Sequence, residues 1–185
     1  EGEANPRSII RNIVLTTLDF ELLGFIALAL RFSAESVPGA WFKASFHAVS
    51  AFCNAGFSPF NDSLGSFRSD PVVTGVVMLL VVAGGLGFVV MQDLGRVFMR
   101  RKRRCAYHTR IVLITTAALI AGGMVLFLTL EACNAYQALS WPEKAIAALF
   151  QSVATRTAGF DTVPQSGLPL ASVVITPALR FNVGS

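Results

Sequence analysis

Long apolar blocks separated by short polar stretches dominate the chain. The clearest block covers residues 72–91, which hold no charged side chain, and a second uncharged block covers residues 111–130. A third block, at residues 13–30, is interrupted by Asp19 and Glu21. A helix of about twenty residues is roughly 30 Å long, which is the thickness of a hydrocarbon core. The pattern therefore predicts three membrane-spanning helices.

Composition supports this interpretation. Apolar residues make up 54% of the 185 residues and charged residues only 14%, with a mean hydropathy of +0.61. Soluble domains carry about 25% charged residues, so an ordinary soluble enzyme is excluded. The two carboxylates Asp19 and Glu21 would be costly inside a bilayer. Either protein neighbours surround them or they face a wet cation path, and the sequence leaves both readings open.

Two further apolar stretches, Ala40–Phe52 and residues 145–154, are too short to cross a bilayer. Their length is typical of re-entrant helices. Ser140 and Glu143 precede the second stretch as a capping box, with Pro142 in the first turn. Each short helix would point its partially negative carboxyl end toward mid-membrane, which favours a cation there.

Basic residues concentrate in one linker. Residues 96–110 hold seven of the fifteen lysines and arginines. Such a run is compatible with nucleic-acid binding, but a short basic loop between two apolar blocks is typical of the cytoplasmic side of a membrane protein. We therefore predict a cytoplasmic linker and no nucleic-acid partner.

The short apolar stretches belong to an internal repeat. The motif FHAV at 46–49 resembles FQSV at 150–153, at an offset of 104 residues. The motif NAGF at 54–57 resembles TAGF at 157–160, at an offset of 103. Around each copy the order is spanning helix, re-entrant helix, glycine turn and spanning helix. The matched flanks indicate a duplicated unit.

This arrangement suits cation passage. Rings of backbone carbonyl oxygens can replace the hydration shell of an alkali cation. Gly56 and Gly159 permit the backbone conformations that turn carbonyls toward one axis. Phe57 and Phe160 are expected to wedge the two turns against surrounding helices.

The sequences FHAVSAFCNAGFS at 46–58 and FQSVATRTAGFDT at 150–162 resemble the second and third pore loops of the Trk/Ktr/HKT superfamily of potassium transporters. YHTRIVL at 107–113 resembles the start of that family's third repeat, and the short linker before it is similar to bacterial Ktr-type subunits. The resemblance implies filter positions that bind K+ through main-chain carbonyls only: Cys53, Asn54, Ala55, Gly56, Phe57, Arg156, Thr157, Ala158, Gly159 and Phe160.

The resemblance also implies a fold class and a division of the chain. We expect an all-α integral membrane protein with repeated helix–pore-loop–helix units, potassium-channel-like, that forms a fragment of a four-repeat subunit. Residues 1–11 would be a cytoplasmic stretch and residues 12–95 the second family repeat. Residues 96–110 would be the cytoplasmic linker, and residues 111–185 the next repeat, truncated in its last helix.

The implied function is potassium transport across the cell membrane by a multi-pass protein that is not an enzyme and has no organic cofactor. Sodium conduction or sodium coupling is the alternative within the family, and an unrelated secondary transporter is a further alternative. The implied partners are membrane lipid, the first and fourth repeats of the same subunit, a second subunit in a homodimer, and a cytoplasmic nucleotide-binding regulatory ring.

Three other features have competing readings. The run of glycines at 84–87 lacks the G-x-G-x-x-G spacing of a nucleotide loop, so close helix packing is expected. His47 and Cys53 would lie about 120° apart on a helix, which favours packing over a nucleophile pair. Arg156 would repel K+ at the axis, so its side chain is expected to turn back into the protein.

Overall fold

The computed structural model describes residues 6–98, 104–131, 136–137, 139–155 and 160. The regular structure within these ranges is helical, including a short 3₁₀ turn at Gly65–Phe67, which confirms the all-α prediction there. In chain order the helices are α1 Pro6–Ala34, α2 Ala40–Phe52, α3 Pro71–Leu86, α4 Phe88–Phe98, α5 Tyr107–Glu131 and α6 Trp141–Val153.

Helices α1 and α5 are long and apolar enough to cross a membrane. Their candidate spans are Ile9–Ala34 and Tyr107–Glu131, of 26 and 25 residues. Both predicted blocks are therefore confirmed as long apolar helices. On α1, Asp19 is exposed and Glu21 is half-buried.

The prediction of one continuous helix over residues 72–91 is wrong. Helix α3 ends at Leu86, and α4 begins at Phe88 after a bend of 109°. Gly87 between them has φ 79° and ψ 157°, a backbone conformation that is almost restricted to glycine. Hydropathy depends on composition and not on backbone torsion angles. An uncharged block therefore gives no sign of a helix break at Gly87.

The two short apolar stretches form helices, α2 and α6, as the sequence predicted. Helix α2 has the predicted bounds, Ala40–Phe52, and α6 begins at Trp141, directly after the predicted cap residue Ser140. Each has 13 residues, so each is about 20 Å long and too short to span a bilayer.

The two copies of the repeat share one apolar core. Helix α1 packs on α2 and α3, while α6 packs on both α5 and α3. Side chains from both copies meet in a single buried cluster, which includes Leu28, Phe32, Ala48, Val77, Phe150, Val153 and Phe160. This shared core fixes the position of α6 relative to α2.

Asp70 fixes the start of α3. Its carboxylate accepts hydrogen bonds from the backbone N–H groups of Val72 and Val73 at 2.9 and 3.2 Å, and the Arg31 Nε donates to it at 2.6 Å. Burial raises the pKa of Asp70, but these hydrogen bonds and the Arg31 charge outweigh it, so the pKa lies below its ordinary value. Asp70 is thus the N-cap of α3, and Pro71 is its first residue.

Glu143 joins the start of α6 to the other copy. Its carboxylate accepts from the Ser140 N–H at 2.9 Å, which is one half of the capping box, and also from the Ser140 hydroxyl at 2.7 Å. The Ser69 hydroxyl, in the segment before α3, donates to the same carboxylate at 2.8 Å. The Ser140 hydroxyl and N–H, then Ser69, lower the pKa of Glu143 to about 2.

We therefore predict an acid-sensitive contribution of Glu143 to stability. Because its pKa falls on folding, the contribution is complete above the ordinary pKa of 4.5 and is lost as the pH drops toward about 2. Glu143→Gln should lower the thermal unfolding midpoint of the purified protein at pH 7, and the difference from wild type should shrink at pH 3. A difference that stays constant with pH would contradict this. Ser69→Ala, which leaves the capping box intact, should have a smaller effect at pH 7.

Candidate functional site

The chain leaves helical geometry directly after α2. The N–H groups of Cys53, Asn54 and Ala55 still donate to carbonyls of the last turn, at 2.9, 3.1 and 2.8 Å. Asn54 and Gly56 then take positive φ values of 54° and 72°, which asparagine tolerates and glycine adopts without a steric penalty. The loop at 53–57 is therefore irregular backbone at the carboxyl end of a short helix.

Side chains of α2 form hydrogen bonds to the residues at the end of this loop. The Ser50 hydroxyl donates to the Phe57 carbonyl at 2.8 Å. Nε2 of His47 lies 3.0 Å from Oγ of Ser58, and Oγ of Ser58 accepts from the Phe60 N–H at 3.1 Å. The segment that follows the loop, from Phe57 to Phe60, is thus held against α2.

Helix α3 lies directly behind the loop. A Cβ atom added to Gly84 would overlap the carbonyl oxygen of Phe52 and come within 2.9 Å of Nδ2 of Asn54. That Nδ2 atom donates to the Phe52 carbonyl at 3.4 Å. Only glycine at position 84 permits this approach, so the packing interpretation of the glycine run holds for Gly84.

Electrostatics at this loop favour a cation. The carboxyl end of a helix carries about half a negative charge, and the loop starts there on α2. Among the described residues, no three His, Cys, Asp or Glu side chains come together as a metal site. The loop also contributes the main-chain carbonyl oxygens of residues 53–57.

Phe57 does not wedge the loop against neighbouring helices. Its side chain is 69% exposed and lies at an open apolar groove with Phe42, Phe46 and Val49. The returning chain directs it to the face of α2 away from α1 and α3, so that expectation is wrong for Phe57. Cys53 is exposed beside the same groove.

The second loop is described only at its end. Arg156, Thr157, Ala158 and Gly159 lie outside the described residues, as does the expected course of the Arg156 side chain. Phe160 is buried, with 1% of its surface exposed, and belongs to the shared core, as the sequence predicted.

Helix α6 is held against α5 much as α2 is held against α3. The Ser152 hydroxyl donates to the Ile120 carbonyl at 2.8 Å. A Cβ atom at Gly123 would overlap this hydroxyl. Each short helix therefore approaches a longer helix at a glycine.

Helix α2 contacts the end of the second loop. The His47 ring stacks on the Phe160 ring with centroids 6.2 Å apart and an interplanar angle of 24°. His47 is fully buried, and its Nδ1 lies 2.7 Å from the Lys43 carbonyl, so its packing role is confirmed. Sequence reasoning missed the link to Phe160, because nothing in the two motifs states that residues 113 positions apart meet.

Comparison with known proteins shows which family the chain belongs to. The family described as TrkH, cation transport protein, matches residues 5–176. The chain is 40% identical to the Ktr system potassium uptake protein B of Vibrio alginolyticus, over 88% of this chain and 36% of that protein. It is 34% identical to the potassium/sodium uptake protein NtpJ of Enterococcus hirae, over 89% of this chain and 37% of that protein.

A third relative, the Ktr system potassium uptake protein B of Bacillus subtilis, is 33% identical over 94% of this chain and 39% of its own length. The chain thus spans between 36% and 39% of these three relatives. All three are transport proteins rather than enzymes, and the family match covers both copies of the repeat. The resemblance to the Trk/Ktr/HKT superfamily is confirmed, and the chain belongs to the TrkH family of cation transport proteins as part of a multi-pass protein of the cell membrane.

Proposed function

We propose that the complete protein carries K+ across the cell membrane and that main-chain carbonyls of residues 53–57 replace part of the ion's hydration shell. The loop after α2 carries this proposal, because Asn54 and Gly56 there leave helical geometry at a helix carboxyl end. A dehydrated K+ ion needs several oxygen ligands, which pore-loop carbonyls supply. The names of the relatives, which are potassium and potassium/sodium uptake proteins, support the choice of ion.

Residues 156–160 are proposed to supply the equivalent carbonyls from the second copy. The repeated motif supports this, and so does the stacking of Phe160 on His47, since it brings the end of the second loop to the first pore helix. Two such loops surround an ion only in part. The first and fourth repeats of the same subunit would supply the remaining ligands.

The short helices add a field that favours cations. Both α2 and α6 would direct their partially negative carboxyl ends toward the ion. Arg156 would repel K+, so its side chain is proposed to turn away from the axis. Passage along this path forms and breaks no covalent bond and uses no organic cofactor, so we infer that the protein is not an enzyme.

The basic residues 96–110 are proposed to lie in the cytoplasm, which makes the loop ends of α2 and α6 approachable from the outer side. The division into a repeat at 12–95 and a second repeat from 111 follows from the same topology. A homodimer, surrounding lipid and a cytoplasmic nucleotide-binding regulatory ring are the proposed partners.

Sodium is the second candidate ion, because the name of one relative includes both potassium and sodium. The test is uptake by cells that lack their own potassium uptake systems and express the complete protein. Potassium transport predicts growth at low external K+ and K+ uptake that a tenfold excess of Na+ leaves largely intact. Uptake of Na+ with no uptake of K+ would support the second candidate, and no cation uptake would refute both.

A further inference from the structure

His47 lies where the two copies of the repeat meet. One face of its ring stacks on Phe160, the last residue of the second loop. The Phe60 ring lies 5.1 Å from it, centroid to centroid, and the Phe32 ring packs edge-on at 5.8 Å. The imidazole is therefore enclosed by aromatic side chains from α1, from the chain after the first loop and from the second copy.

Hydrogen bonds orient this ring. Nδ1 lies 2.7 Å from the Lys43 carbonyl, one helical turn earlier. A carbonyl oxygen only accepts, so Nδ1 carries the proton. Nε2 of the neutral ring then shares the single hydroxyl hydrogen of Ser58, at 3.0 Å, with the Ser63 carbonyl, which also lies 3.0 Å from Oγ of Ser58. Ser58 directly follows Phe57, whose carbonyl accepts from Ser50. His47 therefore fixes the chain where the first loop ends.

We infer that His47 is a positioning residue that couples the geometry of the two pore loops, through its hydrogen bond to Ser58 and its stacking on Phe160. It contacts the ends of both loops rather than the proposed ion path. The inference rests on the proposed role of residues 53–57 and 156–160 as the filter. If the relative position of the two loops sets ligand geometry around the ion, the loss of either contact shifts the preference among cations.

The repeat itself suggests how to separate the two contacts. Gln151 occupies the position in α6 that corresponds to His47, and it is buried. Glutamine at position 47 can keep a hydrogen bond to Ser58 but loses the stacked ring. Phenylalanine at position 47 keeps a ring against Phe160 but loses the hydrogen bond, and leucine loses both.

The experiment measures K+ and Na+ uptake by the complete transporter with each variant, at matched amounts of protein in the membrane. We expect His47→Leu to lower the K+/Na+ uptake ratio about tenfold, which corresponds to about 1.4 kcal/mol. His47→Gln and His47→Phe should each lower it about threefold, if the two contacts contribute comparable and additive free energies. His108→Leu is the matched control, because His108 is exposed on α5, and it should leave the ratio unchanged.

A purely space-filling role predicts an unequal order instead of equal reductions, with His47→Phe close to the wild-type ratio and His47→Gln clearly below it. That order, or a wild-type ratio in His47→Leu, would overturn the inference. If His47→Leu does not reach the membrane, Ser58→Ala and Phe160→Leu decide, since each removes one partner and should lower the ratio about threefold. Wild-type ratios in both would overturn it.

The outcome for the proposed function is read separately. Wild-type protein that takes up K+ and Na+ equally would refute the proposed preference for K+, while the change of the K+/Na+ uptake ratio between wild type and His47→Leu would still test the coupling. Wild-type protein that carries no cation would refute both.

Discussion

Replacing Gly84 by alanine is expected to reduce cation uptake by the complete transporter more than tenfold. The new methyl group would overlap the Phe52 carbonyl oxygen and press on the Asn54 side chain, so α3 and the end of α2 must move apart. Overpacking of this kind costs about 1–3 kcal/mol in a well-packed core. Here the backbone that has to move is the start of the proposed filter. Uptake of K+ and Na+ and the amount of protein in the membrane are the measurements.

Gly75→Ala is the matched control for this variant. Gly75 lies in the same helix, and among the described residues a Cβ atom added there meets no heavy atom within 4 Å apart from the backbone of its own helix. Alanine is favoured over glycine in a helix interior by about 1 kcal/mol, so Gly75→Ala should transport normally and be equally or more stable. Equal uptake by Gly84→Ala and Gly75→Ala would contradict the packing of α3 against the loop.

Gly56→Ser is expected to lower the preference for K+ over Na+ by about tenfold, a free-energy change of about 1.4 kcal/mol. Gly56 has φ 72°, and a residue with a Cβ atom pays roughly 1–2 kcal/mol in left-handed backbone. Relaxation of that strain would turn the adjoining carbonyls away from the positions that fit a dehydrated K+ ion. The measurement is K+ uptake with increasing external Na+.

Gly39→Ser tests whether strain alone explains such a change. Gly39 has φ 69°, nearly the same as Gly56, and within the part of the chain that the structure describes a Cβ atom there meets no heavy atom within 4 Å. It lies before α2, at the opposite end of the helix from the loop. Gly39→Ser should therefore cost a similar free energy of folding and leave the cation preference unchanged. Identical preferences in both variants would argue against residues 53–57 as the filter.

The sequence predicted the elements that depend on local signals. Helix α2 has the bounds that the apolar stretch indicated, because its length and its flanking glycine and polar residues are visible in the chain. The start of α6 followed from Ser140 and Glu143, which form the reciprocal hydrogen bonds of a capping box. The internal repeat also predicted both loops, because alignment of the chain with itself matches the glycine motifs at 54–57 and 157–160.

These local signals could not predict contacts between residues that are far apart in the chain. Small residues in an apolar helix indicated close packing, yet only the fold shows that Gly84 meets the Phe52 carbonyl. The bend at Gly87 was missed because glycine is tolerated in helices, and only its torsion angles distinguish a break from a continuous helix. His47 was expected to pack, but its partner Phe160 belongs to the other copy.

The central claim is that main-chain carbonyls of the two loops bind the transported cation. Anomalous scattering from crystals of the complete transporter grown with Rb+ or Tl+ tests it most directly, since both ions substitute for K+ and can be located independently of the protein. We expect a peak in contact with carbonyl oxygens of residues 53–57 and 156–160. A cation held elsewhere by side-chain carboxylates, with no peak beside either loop, would contradict the account.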